Sequence, residues 1–260
     1  MEFTSSSFFV TLPSNASKDL FPSNKVGEYR VKLARPIQLK HDYEIALSEI
    51  HYPRTWDTLP AQCNKLWYSN GSGLIEKCID PGYYESIDKM IQQIHKAINP
   101  HPNHAGPNNP NAGTGIIISY NEITRHVKVY IRDGFALKLG DGIAQILGLP
   151  IMEEMNQTMV APEAVDLNRG LTALYIYCDL CEPQIVGDTL APLLRIVDIK
   201  GKDGETVLKN CNPPQYVPLR KKTLDVIEIN ICDDTGQISF TSGKLICKLH
   251  IRLRQPSLFL

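Results

Sequence analysis

The sequence lacks the segments that would send a chain into or across a membrane. It has no apolar run near the ~18 residues that a membrane-spanning helix needs. The start, Met1 to Ser5, shows no basic stretch followed by an apolar one, so we expect no signal peptide. The 7 cysteines are an odd number at irregular spacing, unlike a secreted disulfide framework. We therefore expect synthesis in a reducing compartment, no disulfides, and no glycosylation at the Asn-x-Ser/Thr triplets of Asn15, Asn70 and Asn156.

The sequence also lacks an excess of charge and the motifs of common enzymes. The formal net charge is −1, and proteins that bind nucleic acid usually carry a basic stripe or tail. The one dense basic run, Arg220 to Lys222, precedes a predicted strand and is interpreted as a solvated guard of a sheet edge. There is no phosphate-binding loop, no Gly-x-Ser-x-Gly elbow and no His-Glu-x-x-His motif. We predict no catalytic, cofactor-binding or metal-binding residues, and therefore no enzyme.

Two short motifs leave alternatives open. Cys178 and Cys181 form a Cys-x-x-Cys pair, but a structural zinc ion needs four ligands, and the remaining candidates, His101 and His104, lie in a loop that nothing positions. Buried thiols are the favoured interpretation. The tripeptide that begins at Asp234, Asp-Thr-Gly, also occurs in aspartic proteases, which need two aspartates sharing one proton. One copy would require a dimer, and its composition is that of a hairpin turn.

The sequence is rich in short segments that alternate apolar and polar residues. Such period-2 patterns are typical of strands with one buried face and one wet face. About ten strands follow, with turn residues between them, and hydrophobic content of 43% is ordinary for a core-forming chain. We predict an all-β antiparallel sandwich. The main predicted strands are Phe8–Leu12, Tyr29–Leu33, Tyr43–Tyr52, Leu66–Tyr68, Leu74–Ile79, Ile116–Tyr120, His126–Ile131, Leu171–Cys178 (central), Leu193–Ile199, Leu224–Ile231, Gln237–Phe240 and Lys244–Leu253.

Two helices interrupt the strands. Apolar residues from Ile87 to Ile98 follow helical spacing, which predicts a helix over about residues 84–98 that packs on the sandwich. A shorter helix is predicted over Asp141 to Leu147, with Asp141 as its N-cap and Gly148 at its end. Residues 99–115 are rich in Pro, Asn and Gly and are predicted to form an exposed loop, and residues 150–168 also read as a loop. We predict one domain over residues 1–260.

Some side chains are candidates for surface roles. His126 and His250 fall on the polar faces of alternating strands, where exposure to solvent is the default. Ile117-Ile118, Leu171 and Ile185-Val186 could include residues of a protein interface, although burial in the core is the favoured interpretation for each.

Several segments carry a resemblance to a known family, and they cover most of the chain apart from the loops near 100–115 and 150–165. They are Val10–Asn15, Phe21–Asn24, Tyr29–Leu39, Tyr43–Glu49 with Tyr52-Pro53 and Trp56, Pro81–Ser86, Leu174–Asp179, Val186–Thr189, Leu193–Arg195, Ile227–Gly236, Phe240–Lys244 and Leu249–Arg252. Together these segments resemble the minor capsid (penton) proteins of Polinton/Maverick elements and adintovirus-like viruses.

The resemblance implies a single jelly roll, two four-stranded antiparallel sheets face to face. It implies a non-enzymatic structural protein of the virion that forms a homopentamer at the five-fold vertices of an icosahedral capsid. Its partners would be further copies of itself and the capsomers of the major capsid protein, without direct contact to nucleic acid and without a membrane span. Other readings stay open: a jelly-roll protein of another capsid role, such as a trimeric capsomer, a domesticated relative, or a glycan-binding module that uses the 99–115 loop.

Overall fold

A computed structural model describes residues 6–69, 73–98, 115–233, 236 and 238–254. Its strands β1 to β18 and helices α1 and α2 are numbered in chain order. The chain divides into two compact units, one of Met1–Trp56 with Leu171–Leu260 and one of Asp57–Gly170. The second unit is therefore one continuous insertion within the sequence of the first. The expectation of one domain over 1–260 stays a prediction.

The first unit contains two antiparallel sheets. In one, the strand order is β1-β18-β3-β15, and β16 also pairs with β3. In the other, the order is β14-β11-β17-β2. A separate two-stranded hairpin, β12-β13, lies in the connection between β11 and β14. The bounds are β1 Ser7–Pro13, β2 Glu28–Gln38, β3 Tyr43–Pro53, β11 Ala173–Cys178, β12 Gln184–Val186, β13 Thr189–Ala191, β14 Leu193–Asp198, β15 Thr206–Asn210, β16 Val217–Pro218, β17 Thr223–Cys232 and β18 Ile246–Leu253.

The pairing of the eight long strands is that of a jelly roll. The first pairs with the last, β1 with β18, and the second with the seventh, β2 with β17. The third pairs with the sixth, β3 with β15, and the fourth with the fifth, β11 with β14. This is one long antiparallel ribbon of paired strands, which then folds over so that β18 also pairs with β3 and β11 with β17. The predicted fold class is confirmed.

One hydrophobic core joins the inner faces of the two sheets. Strand β18 alternates buried and half-buried residues along most of its length, as does β17, so that one face of each points inward. Leu47, Leu249 and Ile229 are among its fully buried members. The buried hydroxyl of Tyr29 on β2 donates to the carbonyl of Leu12 on β1, 2.9 Å away, which ties the two sheets together at one edge.

The second unit has two small antiparallel sheets and both α-helices. Its sheets have the orders β10-β7-β6 and β5-β4-β8-β9. Apolar residues of the strands and helices share a separate core. The bounds are β4 Lys65–Ser69, β5 Leu74–Cys78, α1 Ile87–Ile98, β6 Ile116–Asn121, β7 His126–Ile131, β8 Ala136–Leu139, α2 Asp141–Leu147, β9 Glu154–Met155 and β10 Met159–Val160, with a short 3-10 helix at Ala61–Cys63.

Helix α1 begins at Ile87, three residues later than the predicted start. Tyr84 precedes it in a turn, where its amide donates to the Thr58 hydroxyl and its own hydroxyl donates to the Asp80 carbonyl. The amide of Met90 bonds to the carbonyl of Ser86, so helical pairing starts there. The apolar stripe of α1 packs in the core of the second unit, against β6 and β5. The expected packing of this helix on the sandwich stays a prediction.

Helix α2 has the predicted bounds but a different cap. Gly140 occupies the N-cap position, and Asp141 is the first helical residue. A Cβ at Gly140 would lie 2.8 Å from the Lys65 carbonyl oxygen, so this close approach of backbones requires glycine. Gly148 ends the helix in the left-handed region at φ 68, as predicted.

Other differences from the sequence predictions concern short strands. Residues 150–168 contain β9 and β10, and β8, β12, β13, β15 and β16 were not predicted at all. In the predicted strand Gln237–Phe240, residues 238 and 239 are irregular and Phe240 makes one isolated bridge to Trp56. Their rings pack edge to face with centroids 5.9 Å apart, so the contact is made by side chains more than by a ladder. The predicted loop at 99–115 lies outside the described residues except for Gly115.

We predict that Leu249→Ala destabilises the protein by about 2–5 kcal/mol, because it leaves a cavity in a fully buried core position. Leu74→Ala is the matched control, since Leu74 is exposed on β5. Its free energy of unfolding should change by no more than about 0.5 kcal/mol. Denaturant unfolding followed by circular dichroism measures both. Equal losses in the two variants would contradict the assignment of the core.

Candidate functional site

The thiols of the Cys-x-x-Cys pair lie in the core of the jelly roll. Cys178 ends β11, and the amide of Cys181 closes a turn by donating to the Cys178 carbonyl at 3.0 Å. Both side chains are buried. The hydrogen bond to the Cys178 thiol, together with burial, raises the pKa of Cys181 far above its ordinary value. A thiol held protonated is a poor nucleophile and a poor metal ligand. No cluster of three metal-ligating side chains occurs among the residues that the structure describes.

The basic run makes specific contacts while Arg220 and Lys222 stay exposed to solvent. The strand that follows it, β17, lies between β11 and β2, so the run does not guard the edge of a sheet as expected. Arg220 Nε donates to the carbonyl oxygen of Asp179 at 2.7 Å, and Lys221 pairs with the Asp179 carboxylate. Lys222 pairs with Asp42 at 2.8 Å. Asp179 also accepts the amide of Glu228 at 2.8 Å, so its carboxylate joins the end of β11 to β17. These residues serve the fold.

A groove of about 590 Å³ opens at the end of β11 and β17. Its charged lining includes Asp179, Arg220 and Glu228, and each has a partner within the protein, since Glu228 pairs with Arg30 at 2.6 Å. Each of these carboxylates pairs with a basic side chain, so the two do not form the proton-sharing pair of an aspartic protease. Asp234 of the protease motif, like His101 and His104, lies outside the described residues.

The structure places the predicted interface residues in different environments. Ile118 is buried in the core of the second unit, and Leu171 packs against the core of the jelly roll. Ile117 is half-buried. Ile185 alone is largely exposed, at 82%, and Val186 beside it is half-buried. The structure therefore retains one of these candidates as a surface residue.

The exposed large apolar side chains of the jelly roll lie at its two flanks. The β1–β2 flank is the edge where β1 and β2 end their sheets, joined by the bond from Tyr29 to Leu12. The β14–β15 flank is the opposite edge, where β14 packs near β3 and the amide of Lys200 bonds to the Tyr52 hydroxyl at 2.9 Å.

Every large apolar residue of the described first unit that is exposed belongs to one of these flanks. Phe9 on β1 and Leu20 in the connection to β2 lie on the β1–β2 flank. Ile196 on β14 and Leu208 on β15 lie on the β14–β15 flank. Ile185 and Leu190 belong to the β12–β13 hairpin, whose Gln184 side chain donates to the carbonyl of Leu193 at the start of β14, 2.6 Å away.

The β12–β13 hairpin is the most exposed of these elements. Ile185 and Leu190 are directly opposite each other across its two strands. Leu190 is 69% exposed, and no residue from Gln184 to Ala191 is buried. Gly187 opens the two-residue turn at φ 61, as hairpin turns require. The Gly-Asp turn between short apolar segments is a signal that sequence analysis could have used to find it.

Phe9 belongs to an ordered aromatic group on the outer face of β1 and β18. Its ring stacks on His250 with centroids 4.5 Å apart, and the Lys248 ammonium lies 5.4 Å from the Phe9 ring. The hydroxyl of Tyr216 is 2.7 Å from Nδ1 of His250, and the Arg252 guanidinium lies over the Tyr216 ring. Burial and Arg252 lower the pKa of His250. Aromatic and arginine side chains in this arrangement are enriched at protein interfaces.

His126 also makes a specific contact in the second unit. Its Nδ1 lies 2.8 Å from the Ala161 carbonyl oxygen, and the side chain is half-buried instead of fully solvated. Among the described residues, no helix combines the length and the apolar character that crossing a bilayer demands.

Comparison with known proteins finds little sequence similarity. No protein-family model matches the chain, and no curated protein matches it. Among solved structures, the chain is similar to a crystal structure of the mavirus penton protein, with 10% sequence identity and a TM-score of 0.49. The match covers 95% of this chain and 99% of that one.

We predict that Asp179→Asn lowers stability by about 1–3 kcal/mol, because it weakens a partly buried carboxylate that holds Lys221 and the Glu228 amide. Asp42→Asn is the matched control, since Asp42 pairs with Lys222 at an exposed position. The control should show no measurable change in urea unfolding. If both variants unfold at the same urea concentration as the parent, Asp179 is not a structural link.

We further predict that stability falls as the pH falls below about 6.5, the ordinary pKa of histidine. Burial lowers the pKa of His95, whose Nε2 accepts the amide of Ile118 at 3.0 Å. Because the pKa of His95 is lower in the folded protein than in the unfolded chain, folding favours the neutral imidazole. The stabilisation that His95 contributes is therefore fully present above its pKa in the unfolded chain. That stabilisation is lost progressively as the pH falls through the folded pKa.

Urea unfolding between pH 7.5 and 5 measures this dependence. The variant His95→Gln keeps a hydrogen-bond acceptor but does not titrate, so its stability should fall less with acidification. The exposed residue His41 supplies the matched control, His41→Gln, which should behave as the parent does. Identical pH profiles for all three proteins would contradict a role for His95.

Proposed function

We propose that the protein is a structural subunit of an icosahedral virus capsid, specifically a vertex (penton) subunit that assembles into a homopentamer. The observation that carries the proposal is the position of the exposed large apolar residues of the described first unit, which lie at two opposite flanks of the jelly roll. A closed ring of identical subunits needs two different surfaces that face opposite neighbours. The two flanks supply such a pair of surfaces.

The sequence resemblance supports the vertex role, and the jelly-roll topology agrees with it. Jelly rolls are common in viral capsids, although the fold also serves lectins and enzymes. In this proposal the described grooves and polar clusters are structural, because their charged groups already pair with one another. The protein would then act in the virion, in contact with its own copies and with capsomers of the major capsid protein, and without catalysis.

The overall charge is compatible with self-assembly. A net charge of −1 creates little repulsion between identical subunits. The outer faces of both sheets carry ion pairs such as Lys32–Asp225 and Arg252–Glu44, which keep those faces hydrated. Association should therefore rely on apolar contacts at the flanks and should survive high salt.

We predict a particle of five times 29.2 kDa in solution, because two flanks per subunit permit a closed ring and the sequence resemblance implies five copies. Light scattering coupled to size-exclusion chromatography measures the mass, and it should stay the same in low and high salt. A stable trimer would favour the capsomer alternative. A protein that remains monomeric at every attainable concentration would contradict the proposed self-assembly.

A further inference from the structure

We infer that the β12–β13 hairpin of one copy packs on the β1–β2 flank of the next copy. The contact would bury Ile185 and Leu190 of the hairpin against Phe9 and Leu20. This inference rests on the proposed function, because it specifies how one subunit meets its neighbour in a ring. The occupant of the flank is a second copy of this chain.

The hairpin has the features of an element that an interface would stabilise. An isolated two-stranded hairpin is only marginally stable in water. The described residues of this chain leave Ile185 and Leu190 exposed at 82% and 69%, and as a directly opposed pair they form one continuous apolar spot. Burial in an interface would remove this spot from water and stabilise the hairpin at the same time.

The two exposed apolar residues of the β1–β2 flank lie on ordered segments. Phe9 is 57% exposed, yet its ring is held by the stack on His250. Leu20 is 62% exposed in a tight turn, where its amide and that of Phe21 both bond to the Ser17 carbonyl. Because the Phe9 ring and the backbone around Leu20 are already held in place, docking would cost little conformational entropy there.

Topology favours a head-to-tail contact over a symmetric one. The hairpin arises beside β14, and Phe9 lies on β1, at the opposite edge of the sandwich. If two hairpins met each other, the result would be a two-fold dimer in which Phe9 and Leu20 stay exposed. Contact between unlike flanks covers both apolar sites of every subunit and repeats around a ring.

Two double variants test the hairpin and the β1–β2 flank separately. The hairpin variant carries Ile185→Thr and Leu190→Glu, and the flank variant carries Phe9→Thr and Leu20→Glu. Threonine suits strands, and the two glutamates have the same charge, so that the altered surfaces do not attract each other. All four positions are exposed, so both proteins should fold, with a slightly lower melting temperature in the flank variant because Phe9→Thr removes the stack on His250. Ile123→Glu, at the most exposed apolar residue among the described residues, is the matched control.

The test is the mass of each protein alone and of an equimolar mixture, measured by analytical ultracentrifugation. We expect each variant alone to be monomeric and the control to assemble as the parent does. In the mixture, the intact hairpin of the flank variant meets the intact flank of the hairpin variant. The mixture should therefore form one-to-one dimers that cannot grow further.

The outcomes distinguish this inference from the proposed function. If the parent assembles but the variants assemble equally well, or if the mixture stays monomeric, the hairpin contact is wrong and the ring must use other surfaces. If the flank variant alone forms dimers, hairpins meet each other and the head-to-tail contact is overturned. If the parent itself is monomeric, the proposed self-assembly fails before the contact is considered.

Discussion

The burial of one core between two sheets is the constraint on which the rest of the jelly roll depends. Each long strand presents alternate residues to that core, so a shift by one position would expose Leu249 or Ile229 to water. The ribbon pairing of first with last strand brings residues far apart in sequence into one sheet. It also leaves the site between β3 and β11 available for a long insertion, where residues 57–170 form a unit with its own core.

The same constraint determines where the surface stays apolar. The inner faces of the two sheets are buried in the core. The outer faces carry ion pairs between neighbouring strands, such as Arg30 with Glu228 and Arg252 with Glu44. Such pairs add little stability, but they make these faces unfavourable to bury. The edge strands and the hairpin between β11 and β14 carry the exposed apolar residues, and on β1 the Phe9 ring lies on the outer face, stacked on His250 of β18. Exposed apolar residues at these places lower the solubility of the monomer, and association would bury them.

Local patterns predicted much of this fold. Alternation identified β1, β3, β17 and β18 nearly to their ends, and the apolar stripe from Ile87 identified α1. The short strands β9, β10 and β16 were not predicted, because two residues are too few to show an alternating pattern and their pairing depends on distant partners. The surface role of Ile185 was considered, but that of Phe9 was not, because the exposure of a strand residue depends on where its sheet ends. Leu20 was not considered either, because it lies in the connection between β1 and β2, where no alternating pattern marks it. The division that sets residues 57–170 apart as a unit also depends on pairing between distant strands, so local patterns did not predict it.

The most direct measurement of the central claim, that the two flanks are the surfaces of self-association, is hydrogen exchange on the unmodified protein at assembling and at dissociating concentrations. The account predicts slower exchange on assembly at amides of residues 184–191 and of β1 with the turn that follows it. The central strands β11 and β17 should exchange equally in both states, because the core already protects them. Protection that appears elsewhere, with the hairpin amides unchanged, would contradict the account.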